Sequence, residues 1–267
     1  METILAKIVN RKKQRLKELK ENSIYDFDFT ISNFEKNIDF SIKKPNFYNA
    51  MKKEGLSIIG EVKKASPSKG IIRESFNPIE IAKEYNNIVD AMSILTEENF
   101  FMGKAEYLKD ISNNVDIPLL RKDFIIDPIQ IYEAKYLGAS AILLIVSILS
   151  DDEIKNFYSL AKELELDCLV EIHNLKELNR ALNIDVDIIG INNRNLKDFS
   201  VSLNTTLELS QYIEKNKILI SESGIFDKND IKHLKKGNID GILVGESFMK
   251  SSNINHLAKS FKKAFEE

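Results

Sequence analysis

IIGEVKKASPSKG, residues 58–70, opens as a short apolar run and ends in charge, with Glu61, Lys63 and Lys64 close together. A turn-forming group, Ser66-Pro67-Ser68-Lys69-Gly70, follows at once. A strand that ends in charge and then in a loop is how a parallel α/β protein presents catalytic groups. Side chains alternate along a strand, so Glu61 and Lys63, two apart, point to the same side. An acid and an amine so placed hold each other ionised or shift each other's pKa. Taken alone, the pair is equally a surface ion pair at a strand end. The recurrence of the pattern along the chain decides between the two readings.

Short apolar runs follow at 58–62, 91–95, 117–120, 139–146, 168–172, 188–191, 218–220 and 241–244. They are near-continuous rather than alternating, as strands buried on both faces should be. Amphipathic helices are predicted between and after them, at 78–86, 103–112, 128–137, 151–164, 175–182, 205–214, 227–236 and 254–265. Asp127-Pro128 and Ser150-Asp151-Asp152-Glu153 read as helix starts, and Gly138 and Gly237 as helix ends. Eight βα units without a long linker argue for an α/β fold of the (β/α)8 TIM-barrel class. A doubly wound sheet is the weaker alternative, because the first βα turn carries no G-x-G-x-x-G. Residues 1–45 are expected to form an N-terminal helical extension packing on the barrel mouth, with 46–267 as the barrel. Within the extension, 4–20 reads as a helix. Residues 21–45 read as irregular, with Phe27, Phe29, Phe34 and Phe40 anchoring it, and 46–54 reads as a further helix ended by Gly55.

Composition sets bounds on function. With 38 basic and 41 acidic residues the net charge is −3, too balanced for a nucleic-acid or membrane surface to be the main partner. No run is long and apolar enough to span a bilayer, and the first 20 residues lack the apolar core of a signal peptide. The single cysteine, Cys168, lies in an apolar run and reads as a small core residue in a protein of the reducing cytoplasm. His173, His233 and His256 are too scattered for a metal site.

In a barrel the active site is built where the strands end. Here those ends carry Glu61 and Lys63, then Thr96-Glu97-Glu98, Arg121-Lys122-Asp123, Ser147, Glu171, Asn192-Asn193-Arg194, Ser221-Glu222-Ser223-Gly224 and Gly245-Glu246-Ser247. Carboxylates and amines recurring on one rim would crowd it with desolvated charge, which a purely structural role does not explain. The glycine-bearing turns after the seventh and eighth runs sit where barrels often bind phosphate through loop N–H groups.

These residues carry a resemblance. EVKKASPSKG (61–70), SILTEENFF (93–101), LLRKDFIIDPIQI (119–131), LVEIHN (169–174), IGINNRNL (189–196), SESGI (221–225) and LVGESFM (243–249) resemble, in order, the blocks of the indole-3-glycerol phosphate synthases. The resemblance implies ring closure, decarboxylation and dehydration of 1-(2-carboxyphenylamino)-1-deoxyribulose 5-phosphate in tryptophan biosynthesis. It implies Lys122 as the general acid, a role that burial and neighbouring positive charge would favour by lowering its pKa. Lys63 would pair with the substrate carboxylate or act as acid in a later step. Glu171 would be the acid/base of dehydration, with Glu61, Asn192 and Glu222 orienting it and the lysines. Arg194 and Ser223 would line the same rim. Ser66, Gly224, Gly245, Glu246 and Ser247 would hold the phosphate. Phe101 and Phe124, with Leu143 or Leu144, would sandwich the substrate's aromatic ring.

The resemblance implies no cofactor and no metal. The partner it implies is a small phosphorylated substrate, with transient contact to other enzymes of the pathway. Two departures stand out. Glu246 follows the last strand's glycine where some relatives carry Ser or Thr, so its carboxylate should turn away from a phosphate and leave only its N–H. There is no tryptophan, so any ring contact made by an N-terminal tryptophan in a relative must come from another residue. The competing readings are a phosphate-binding isomerase barrel of the same pathway and a barrel that binds a phosphorylated metabolite without turning it over.

Overall fold

Apolar residues on both faces of each run drive the strands into a sheet covered outside by helices and closed on itself within. The computed structural model describes residues 3–21, 29–196 and 198–267. Its eight barrel strands are β1 Ser57–Val62, β2 Ala91–Leu95, β3 Leu119–Lys122, β4 Ala141–Ile145, β5 Asp167–Ile172, β6 Ile188–Asn192, β7 Ile218–Glu222 and β8 Gly241–Val244. All pair in parallel, each with its sequence neighbours, and β1 closes against β8. This is the expected TIM barrel.

The helices are α1 Ile4–Glu21, α2 Ile31–Asn37, α3 Phe47–Met51, α4 Pro78–Tyr85, α5 Ala105–Ser112, α6 Ile129–Tyr136, α7 Asp151–Glu163, α8 Leu175–Leu182, α9 Asn204–Ser210, α10 Lys228–Leu234, α11 Glu246–Lys250 and α12 Ile254–Glu266. Local chemistry fixes their starts. Ser150 and Glu153 form a capping box at α7, Asp227 and Asp230 another at α10, and Asn77 caps α4 just before Pro78.

The differences from the sequence reading have local causes. β3 lies two residues later than the run 117–120, since Pro118 has no N–H for a ladder and the pairing begins after it. Arg121 and Lys122 are therefore strand residues. β4 is shorter than 139–146, and Ser147 sits in a 3-10 turn, Val146–Ile148. Gly138 does end α6, at φ +88. Gly237 does not end α10. A 3-10 turn, Lys235–Gly237, continues it, and Asn238 takes the left-handed conformation at φ 49. The turn after β1 contains a two-residue hairpin, Ala65–Ser66 against Gly70–Ile71.

Two apolar layers result. The outer one lies between strands and helices. The inner one fills the barrel with Ile59, Ala91, Leu120, Leu143, Leu169, Ile188, Ile220 and Leu243. α3 closes the end where the strands begin. Phe47 and Met51 join the inner layer, the Tyr48 N–H donates to Asp167 at the start of β5, and the Ser57 hydroxyl at the start of β1 donates to the Ala50 carbonyl. Chemistry is left to the other end.

Segment 21–45 is not wholly irregular, because α2 forms there with Thr30 as its cap. Of the four phenylalanines expected to anchor it, Phe34 is buried against Phe29 and Tyr136, and Phe40 is 44% exposed. Phe27 lies outside the described residues. α1 is tied to the strand-end face of the barrel by Lys12–Asp123 at 2.7 Å, Arg15–Glu98 at 3.5 Å and Lys20–Asp127 at 2.6 Å. Among the described residues no helix is long and apolar enough to cross a membrane. Cys168 is buried in the outer layer, and burial pushes its thiol far up, as suits an inert core residue.

Candidate active site

Strand period builds the site. Inward side chains recur every second residue, so Ile59 is followed inward by Glu61, Leu120 by Lys122, Leu169 by Glu171 and Ile220 by Glu222. Ile188 leads through Gly190 to Asn192. The apolar layer stops one step below, and these five side chains line the cavity at the strand ends.

The Lys122 ammonium joins three strands. It donates to Glu171 Oε2 at 3.0 Å and to Glu222 Oε2 at 2.5 Å. Glu61 and Lys63 form the adjacent pair read from the sequence. Burial opposes the charge on Lys122, but Glu222, Glu171 and Glu61 outweigh it and hold its pKa well above that of a free lysine. The lowering by burial and neighbouring positive charge that would favour the acid role is thus not what the structure shows. Arg121, next to Lys122 in the chain, supplies no such positive charge, because it is an outward residue. Arg121 turns to the helices, with Glu133 at 2.6 Å and the Gln130 carbonyl at 2.9 Å.

The two carboxylates that hold Lys122 shift in opposite directions. Burial pushes Glu222 up to about 7, with Glu171 and Glu61 adding to it against the pull of Lys122. Its Oε1 is buried without a hydrogen-bond partner among the described residues. Burial works against the charge of Glu171 too, yet Lys122 and His173 hold its carboxyl below the usual range. Two buried carboxylates with opposite shifts, bridged by one ammonium, can take a proton at one oxygen while another is released nearby.

Around this centre the cavity is lined by Ser66, Phe101, Phe124, Leu143, Arg194, Ser223, Gly224, Gly245 and Glu246. Leu143 belongs to the inner layer and Leu144 to the outer one, so Leu143 is the residue at the barrel mouth. Phe101 and Phe124 touch each other, with ring centroids 6.1 Å apart. Together they form one aromatic wall of the cavity, which Leu143 also lines. Ser247 is not part of the lining, because its hydroxyl donates to the Ile225 carbonyl at 2.9 Å. Glu246 lines the cavity and pairs its carboxylate along α11 with Lys250 Nζ at 2.7 Å. Ser223 at φ 69 and Gly224 at φ +82 make the left-handed turn after β7.

Several contributors were missed. Ile4, Leu5 and Ile8 of α1 line the cavity and supply apolar contact that no tryptophan provides. So do Ile72, Leu196, Phe199, Ile225 and Phe226 from the loops. Gly190 was missed although a glycine inside a buried strand signals close approach. A Cβ there would overlap the Glu222 carboxylate, and one at Gly245 would overlap that of Glu61. Asn193 is a support, accepting from the Thr206 hydroxyl at 2.8 Å and donating to Ser221 at 2.9 Å. Among the described residues no cluster of His, Cys, Asp and Glu has the form of a metal site.

The chain is similar to known proteins along most of its length. Residues 5–261 match the family model described as indole-3-glycerol phosphate synthase. A protein of that description from Acetivibrio thermocellus is 49% identical over 263 residues, covering 97% of this chain and 99% of the relative. One from Clostridium acetobutylicum is 44% identical over 265 residues, covering 97% and 98%. One from Thermoanaerobacter pseudethanolicus is 53% identical over 206 residues, covering 77% and 79%. Among solved structures, 3-hexulose-6-phosphate synthase from Salmonella typhimurium superposes with a TM-score of 0.65 at 10% identity, covering 79% of this chain and 98% of that one. The 3-keto-L-gulonate-6-phosphate decarboxylase of Vibrio cholerae does so at 0.61 and 13%, covering 79% and 98%. At such low identity these two speak for the barrel fold alone.

Proposed function

The chain belongs to the indole-3-glycerol phosphate synthase family, and from that premise we propose how its own residues divide the family's reaction. The activity is a carboxy-lyase one. 1-(2-Carboxyphenylamino)-1-deoxyribulose 5-phosphate closes to indole-3-glycerol phosphate with release of CO2 and water. The observation that carries the assignment of roles is the Lys122 ammonium held between Glu171 and Glu222 on the cavity floor.

The ring carbon bearing the carboxylate attacks the ketone carbon, and the ketone oxygen needs a proton as it becomes a hydroxyl. Lys122 donates it. The raised pKa makes Lys122 a weak acid while three carboxylates surround it. A developing alkoxide is basic enough to take the proton, and protonation of Glu222 near neutral pH removes one competing counterion. Lys63, beside Glu61 at the first strand end, pairs with the substrate carboxylate until CO2 leaves, or serves as acid in the later step. Loss of CO2 returns the bonding electrons to the ring. Glu171, held ionised, then takes a proton from the ring CH2 carbon and passes it to the departing hydroxyl, so that the C–O bond breaks, water leaves and the new carbon–carbon double bond completes the indole with its ring N–H retained. Asn192 and Glu61 orient these groups.

Phosphate binding falls to the opposite edge. The left-handed Ser223-Gly224 turn, Gly245, Glu246, Ser66 and Arg194 all line that edge, and pairing with Lys250 offsets the charge of the Glu246 carboxylate there. The aromatic ring of the substrate lies against the Phe101–Phe124 wall over Leu143. Residues 1–45 serve as a cover over the mouth, a reading supported by Ile4, Leu5 and Ile8 in the lining. Ile71, Met102, Val201 and Phe226, exposed at the strand-end face, are where transient contact with other pathway enzymes would fall. A biosynthetic role on a small phosphorylated metabolite fits the cytoplasm.

The test is turnover of the carboxyphenylamino-deoxyribulose phosphate by wild type and by Glu171→Gln, with CO2 and indole both quantified. Stoichiometric release of both, with turnover lost in the variant, is expected. Isomerised product without CO2, or binding without turnover, would overturn the assignment.

A further inference from the structure

His173 lies outside the cavity lining, two residues beyond Glu171, and the reaction as described gives it no task. Its surroundings are unusual for a structural histidine. The ring is wedged between two carboxylates. Nδ1 is 3.0 Å from Glu177 Oε2 and Nε2 is 3.4 Å from Glu171 Oε1. Nε2 is buried without a hydrogen-bond partner in this geometry. Glu177 is itself fixed, since it accepts from the His173 backbone N–H at 2.9 Å and from Asn174 Nδ2 at 2.6 Å, and it lies in the first turn of α8. A carboxylate with two such donors at a helix N-terminus stays ionised.

Glu177 therefore demands a proton on Nδ1. If the ring were neutral, Nε2 would be a bare lone pair facing Glu171 Oε1, two acceptors in contact inside a buried site. Only the imidazolium avoids that contact, with one N–H given to Glu177 and its positive charge 3.4 Å from Glu171 Oε1, an ion pair without a formed hydrogen bond. The facing groups on every packed element agree in sign. Glu171 is on β5, Glu177 on α8 and Glu222 on β7, and all favour the charged ring, against burial and the more distant Lys122 on β3. The result is a continuous run of groups from the rim inward, Glu177–His173–Glu171–Lys122–Glu222.

We propose that His173 is a positioning residue of the reaction. Its imidazolium, clamped by Glu177, keeps the Glu171 carboxylate ionised and turned toward Lys122 in the free enzyme. The pair thereby sets the pH at which the acid/base of dehydration is ready. When Glu171 takes a proton from substrate, the Nε2–H to Oε1 contact loses its attraction, so the imidazolium also favours the return of that proton to the departing hydroxyl. The proposal rests on Glu171 as the acid/base of the family reaction, and its first test does not depend on turnover.

That test is a nitrogen-15 NMR titration of the three histidine rings in the whole protein, with the His173 signals assigned by their loss in His173→Gln. The expected result is a His173 ring protonated on both nitrogens at pH 7, with a titration midpoint that falls in Glu171→Gln and in Glu177→Gln. A ring that is neutral at pH 7, or a midpoint indifferent to both changes, overturns the proposal whether or not the enzyme turns over. The kinetic arm uses the pH dependence of kcat/KM, which reports groups of the free enzyme. Loss of one close positive charge should move the acidic limb of His173→Gln up by about one unit, with KM little changed. A merely structural histidine would lower kcat without moving the limb. Should His173→Gln not fold, Glu177→Gln leaves the ring in place and must show the same upward shift in smaller measure. An unmoved limb there also overturns the proposal.

Discussion

Gly190→Ala separates catalysis from stability in this barrel. Gly190 occupies an inward position of β6, and its φ is not in the left-handed region, so alanine meets no backbone strain. The added methyl would overlap the Glu222 carboxylate and lie 3.2 Å from Leu169 Cδ1. Leu169 can give by a few tenths of an ångström. Glu222 cannot stay, because its Oε2 is held at 2.5 Å by Lys122 and its Oε1 fills the space the methyl needs. The obstacle is the far end of a flexible side chain, so the folding cost sits at the low end of the overpacking range, about 1 kcal/mol. The catalytic cost is larger. Glu222 must move by about 1 Å or more, which takes one of the two partners from Lys122, and a misplacement of that size costs about 10²-fold in rate. Steady-state kinetics by indole fluorescence, with thermal melts on the same samples, would show kcat down about 10²-fold and Tm down by only a few degrees. Activity within twofold of wild type would mean that the Glu222–Lys122 contact has no part in the reaction.

Three further outcomes follow from the same contacts. Lys12→Met removes the α1 partner of buried Asp123 but leaves Arg121 and the Thr96 hydroxyl, so a loss of about 1–3 kcal/mol is expected in denaturant unfolding. KM should rise more than kcat falls, and an unchanged KM would argue against α1 as a cover. Asp123, against its burial, is held down to about 2 by Lys12 and Arg121, from an ordinary 3.8. A lowered carboxyl contributes stability that is present above the unfolded value and lost as pH falls through the folded one. Wild type should therefore lose stability between about pH 4 and about pH 2 more steeply than Asp123→Asn, measured as unfolding free energy against pH. Because lysines and carboxylates supply every proton transfer in the scheme, activity should survive dialysis against EDTA, and its loss with recovery on adding a divalent cation would contradict the scheme.

The barrel was legible because runs buried on both faces read as continuous apolar blocks, and parity then names the inward residues. Glu61, Lys122, Glu171, Asn192 and Glu222 each follow an inward apolar residue by an even step. The glycine-bearing cavity edge after β7 and β8 was legible from glycine and charge at the strand ends, except for Ser247, whose hydroxyl satisfies a local carbonyl. Long-range placement was less visible. That α1 would bring Ile4, Leu5 and Ile8 to the cavity depends on ion pairs such as Lys20–Asp127, which join residues far apart in sequence. The direction of the Lys122 shift was not legible along the chain, because the adjacent Arg121 points out of the barrel, while the carboxylates that govern the lysine come from β1, β5 and β7. Neighbours across a barrel outweigh neighbours along the chain.

The most direct test of the central claim is fluorescence-detected formation of indole-3-glycerol phosphate from the carboxyphenylamino-deoxyribulose phosphate by wild type and Lys122→Ala. With no tryptophan in the chain the background is low. Turnover by wild type and a fall of about 10²-fold or more in the variant are expected for loss of the general acid. Turnover that survives the substitution would contradict that role and move the acid to Lys63.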